Sequence, residues 1–71
     1  MKKEIFLKKL GERIVELRKQ RNLSQAELAR ICEKDPQSID RIEHGNVNPS
    51  AFYLREIAQG LGVPVKDILD F

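Results

Sequence analysis

Gln37, Asp40, Arg41 and His44 are the side chains of this sequence best suited by type and spacing to recognise another molecule. At about 100° per residue they share one face of a helix, while Ile39 and Ile42, about 60° apart, take the opposite face. Such a polar face can read base edges, because arginine matches guanine O6 and N7 and glutamine matches adenine N6 and N7. Taken alone, the pattern also describes an ordinary solvated helix face. Catalysis has little support, since the single histidine has no paired nucleophile or acid. One cysteine allows neither an internal disulfide nor a Cys-based metal site, and His44 has no companion ligands, so no metal or cofactor is expected.

The elements around that face explain how it would be presented. Helical periodicity dominates and no segment alternates over a strand's length, so the chain reads as four helices and a short fifth. The first runs from roughly Lys3 to Arg21 with Leu7, Leu10, Ile14 and Leu17 as its stripe, and Asn22 suits a left-handed end. Ser24-Gln25-Ala26-Glu27 matches a capping box opening the second helix, in which Leu28, Ala29, Ile31 and Cys32 are expected inward. Asp35 as N-cap and Pro36 at the first helical position start the third, which Gly45 ends. Ser50 caps a fourth helix to about Gln59, and a last turn spans Val65 to Leu69. Only Glu33, Lys34 and the cap Asp35 join the second and third helices, a connection tight enough for a helix-turn-helix unit.

Length and charge narrow the function. Seventy-one residues leave room for one domain, taken as residues 1–71, with a thin core that oligomerisation would help. No run approaches the ~18 apolar residues of a membrane span. The basic start resembles a signal peptide, but Ile5-Phe6-Leu7 is too short an apolar run to serve as one. A soluble protein of the reducing cytoplasm is therefore expected. The net charge of +2 hides an asymmetry: residues 1–21 carry eight basic and three acidic side chains, the remainder five basic and eight acidic. A phosphate-facing surface near the N-terminus would account for it, as would a solvated lysine-rich helix.

Beyond these single features, an ordered set spans nearly the whole chain: Leu23-Ser24-Gln25-Ala26-Glu27-Leu28-Ala29, Gln37-Ser38-Ile39, Arg41-Ile42-Glu43-x-Gly45, Pro49, and Ile57-Ala58-x-x-Leu61-Gly62-Val63. In this set the sequence resembles the Cro/repressor-type (XRE-like) helix-turn-helix family of lambdoid phage repressors, restriction-modification controllers and many small bacterial regulators. The resemblance implies an all-α, compact five-helix, lambda-repressor-like DNA-binding domain with the helix-turn-helix at helices two and three, dimeric on a palindromic operator. It implies that Gln37 and Arg41 read bases, that Ser38 touches base or phosphate, and that Gln25 bonds a phosphate while supporting a base-reading side chain. It brings Asn46 and Asn48 to the DNA backbone and pairs Arg18 with Glu43 in a salt bridge. Arg18 lies on the apolar stripe of the first helix, where snorkelling to solvent or phosphate is the alternative. Two departures stand out: Glu33 occupies a turn position where glycine is common, and Pro36 one where some relatives read bases with glutamine. A left-handed Glu33 would cost about 1 kcal/mol.

Three further readings concern single residues. His44 suits a non-specific phosphate contact, or simply a cation at a helix C-terminus. Cys32 reads as a buried structural thiol. Phe52 lies off the apolar stripe of the fourth helix, and with Ile68 and Phe71 it offers area for a homodimer interface. The sequence thus predicts a sequence-specific transcriptional regulator that binds double-stranded DNA as a homodimer, with no catalytic residue, cofactor or membrane association. The alternative is an interaction module, such as an antitoxin or bridging factor, whose protein partner would be a toxin or RNA polymerase.

Overall fold

Capping side chains open three of the helices. The computed structural model describes residues 1–71 as α1 (Lys3–Gln20), α2 (Gln25–Cys32), α3 (Pro36–Glu43), α4 (Ala51–Leu61) and α5 (Val65–Ile68). Ser24 Oγ accepts from the Glu27 amide at 3.0 Å and Glu27 Oε1 accepts from the Ser24 amide at 2.8 Å, completing the capping box of α2. Asp35 caps α3 through the Gln37 amide at 2.8 Å, and Ser50 caps α4 through the Tyr53 amide at 3.0 Å.

The first four helices end alike. Asn22, Glu33, Gly45 and Gly62 each take a left-handed conformation, and the following amide bonds back to the carbonyl of Arg18, Ala29, Arg41 or Ala58. Glu33 adopts this conformation without being glycine, at φ 56°. Gly45 is needed for a second reason: a Cβ there would lie 2.9 Å from Lys8 Cα, so the end of α3 rests on the backbone of α1. Gly11 permits another close approach, since a Cβ at that position would collide with the carbonyl oxygens of Ile42 and Glu43.

Every helix contributes at least one side chain with no exposed surface: Ile14, Leu28, Ile39, Ile57 and Ile68 are all 0% exposed. Each stabilises the fold by roughly 1.5–3 kcal/mol through burial. Ile68 therefore belongs to the core and not to a dimer interface, which corrects the expectation for it. The four-residue α5 turns Ile68 inward, and the Arg13 Nε bond to the Asp67 carbonyl at 2.7 Å pins that turn to α1. Phe71 stays partly exposed with its ring centroid 5.4 Å from that of Phe6. Ile31, expected inward, is 51% exposed, because the buried sector of α2 is confined to Leu28, Ala29 and Cys32. Helix bounds shift slightly: α1 stops at Gln20 and α4 continues to Leu61. No helix is long and apolar enough to cross a membrane.

Candidate nucleic-acid interface

The inner face of α3 is fixed by three buried side chains. Ile39 and Ile42 enter the core, and Glu43 meets Arg18 of α1 through Nε to Oε2 at 2.7 Å and Nη2 to Oε1 at 3.1 Å. Arg18 also donates from Nη1 to the Leu23 carbonyl at 2.8 Å, so the guanidinium is held on two sides. Its chain lies along the apolar stripe, but the head group turns to Glu43 rather than to solvent. The two-point geometry is the one in which arginine and carboxylate bind most specifically.

Two side chains of the outer face are left unpaired. Gln37 and Arg41 are exposed and their side chains make no hydrogen bond within the protein, so both keep their full capacity for a ligand. One helical turn separates them. His44 is exposed beside Asp40, with Nδ1 2.9 Å from the Asp40 carbonyl and 3.3 Å from Oδ1. Asn46 and Asn48 are exposed in the loop after α3. Because Gly45 abuts Lys8, the basic N-terminal half of α1 adjoins this same loop.

Two of the expected contact residues are otherwise engaged. Gln25 Nε2 donates to Asp40 Oδ1 at 3.0 Å and to Glu43 Oε1 at 2.7 Å. Two acceptor-only carboxylates can be satisfied only by the NH₂ end of the amide, so no side-chain proton of Gln25 remains for a phosphate. Ser38 turns toward α4. Its hydroxyl donates to the Asp35 carbonyl at 2.7 Å and stands 2.6 Å from the Tyr53 hydroxyl, which must therefore be the donor in that pair. Ser38 keeps only acceptor capacity, which suits a base amino group and not a phosphate.

Sequence reasoning passed over Tyr53, Lys34 and Glu56. Lys34 Nζ lies 4.8 Å from the Tyr53 ring centroid and 2.7 Å from Glu56 Oε1, and the bond to Glu56 raises the ammonium pKa. These residues strap the turn before α3 to α4 through contacts that carry no local sequence signal. Cys32 is buried beneath them, and burial pushes its thiol pKa up, away from the reactive thiolate. No group of three His, Cys, Asp or Glu residues gathers in a geometry that could hold a metal ion.

Residues 14–68 match the family model HTH_3, described as helix-turn-helix. Control protein C.BamHI of Bacillus amyloliquefaciens is 37% identical over 62 residues, covering 86% of this chain and 76% of its own length. The HTH-type transcriptional regulator DdrOP3 of Deinococcus deserti is 34% identical over 62 residues, covering 87% of this chain and 48% of its own. Among solved structures, the restriction-modification controller protein C.AhdI from Aeromonas hydrophila superposes with a TM-score of 0.86 at 31% identity, over 87% of this chain and 94% of that one.

Proposed function

The chain belongs to the HTH_3 helix-turn-helix family, and from that membership we propose that it is a sequence-specific DNA-binding regulator of transcription. The observation that carries the proposal is the division of α3 into an inner face held by Ile39, Ile42 and the Glu43–Arg18 pair and an outer face that leaves Gln37 and Arg41 without partners. With α3 positioned from its inner side, Gln37 and Arg41 can engage a major groove without first breaking bonds of their own. Arg41 and Gln37 read base edges. Asn46, Asn48, His44 and the lysines of α1 near Gly45 meet the phosphates on either side. The domain acts as a homodimer on a palindromic site. Phe52, 62% exposed on α4, contributes to its interface together with Leu69 and Phe71.

Selection of bound sequences from random duplex DNA tests the reading. A palindrome whose half-sites lie about 34 Å apart is the expected result for a two-fold dimer. Recovery of no enriched sequence would oppose it.

A further inference from the structure

The outer face of α3 carries one group of opposite character to the rest. Asp40 is an anion among residues that would face a polyanion. Its side chain is 49% exposed, and no lysine or arginine pairs with it. Oδ1 accepts from Gln25 Nε2 at 3.0 Å and lies 3.3 Å from His44 Nδ1, while Oδ2 has no partner in the protein. The Gln25 amide is in turn anchored by Glu43 at 2.7 Å, and Glu43 by Arg18. An unbroken chain of bonds therefore runs from the buried ion pair to the Asp40 carboxylate and fixes its orientation.

A carboxylate is repelled by phosphate and accepts hydrogen bonds without donating any. On a base edge it fits the exocyclic amino group of cytosine, and it is repelled by the O6 of guanine and the O4 of thymine. Because Gln25 already holds the group, little rotamer freedom is lost when it engages a base. We propose that Asp40, positioned by Gln25, is a specificity-determining residue of this domain: its free oxygen accepts from cytosine N4 at one position of each half-site. The inference rests on the proposal that α3 enters the major groove. Asp40 is adjacent in sequence to Arg41 and about 100° from it around the helix, so the selected cytosine neighbours the base that Arg41 reads.

The test is selection from random duplex DNA with the full chain and with its Asp40→Ala and Asp40→Asn variants. The side chain lies outside the core, so melting temperature and the preference at the Arg41 position serve as controls for folding. The wild type is expected to favour cytosine at one position by on the order of tenfold. Asp40→Ala should lose that preference alone. Asp40→Asn should move it toward adenine, whose N6 and N7 match an amide. A variant profile identical to the wild type overturns the inference and leaves the DNA-binding reading standing. A uniform gain in affinity for every sequence in Asp40→Ala also overturns it, because the carboxylate would then be only a repulsive charge. If the wild type enriches no sequence, both this inference and the proposed function fall together.

Discussion

Arg18 of α1 and Glu43 of α3 join through two hydrogen bonds of 2.7 and 3.1 Å, with side chains only 11% and 3% exposed. Removing either partner leaves a charge with little water to compensate it, which costs about 3–5 kcal/mol in a buried pair. Arg18→Met and Glu43→Gln should each lower stability by an amount at or below the lower end of that range, since Gln25 and the Leu23 carbonyl partly compensate the survivor. The double variant should lose less than the sum. A denaturant-melt cycle measures this, and strict additivity would contradict the coupling.

Readout and positioning should separate by salt and by sequence. Arg41→Ala and Gln37→Ala are expected to relax preference at one position per half-site, at a cost of ~1–3 kcal/mol on the preferred sequence. Asn48→Ala should weaken all sequences alike. Binding to a panel of single-base operator variants at two salt concentrations distinguishes the two behaviours. A uniform loss across the panel for Arg41→Ala would mean that α3 does not read bases there.

Phe52 exposes an aromatic ring on the face of α4 opposite Leu54, Ile57 and Ala58, where a monomer gains nothing from it. Phe52→Glu should shift the sedimentation profile toward monomer and weaken binding to a full operator more than to an isolated half-site. A protein that remains dimeric at matched concentration would remove Phe52 from the interface.

The α2 cap gives a pH dependence with a definite sign. Hydrogen bonds from the Ser24 amide and hydroxyl hold the Glu27 carboxyl below its ordinary pKa. A carboxyl depressed in the folded state contributes stability above its unfolded pKa and loses it as pH falls through the folded value. The advantage of the wild type over Glu27→Gln in melting temperature should therefore be full near neutrality and shrink on acidification below the ordinary carboxylate range. An advantage that grows on acidification would contradict the cap. Ser24→Ala should cost about 1 kcal/mol at neutral pH.

Elements encoded by neighbouring residues are legible in the sequence itself: the Ser24–Glu27 box, the Asp35-Pro36 start of α3 and the split face of Ile39 and Ile42 against Gln37 and Arg41, whereas the left-handed Glu33 is indicated only by the family resemblance. What escapes depends on how helices meet. Four residues are too few to display a period, so nothing local indicates that Ile68 turns inward. Ile31 lies about 60° from Leu28 on a short helix, and only the packing of α3 and α4 against α2 decides which side of Leu28 is covered. At the candidate site, the engagement of Gln25 by Asp40 and of Ser38 by Tyr53 spans 15 residues of sequence in each case. Such long-range polar bonds have no periodic signature, and they redefine which groups remain available to a ligand.

At Gly11 the first helix lies directly against the carbonyl oxygens that close α3, with no side chain between them. Backbone seated on backbone has no rotamers with which to yield, so α1 leaves the last turn of α3 little room to shift toward it. Its amide protons should therefore exchange no faster than those of the α1 turn around Gly11, the result expected if the two helices open together. The outer face of α3 is then lost only when its seat on α1 is lost, and the population in which it is disordered follows the free energy of that opening.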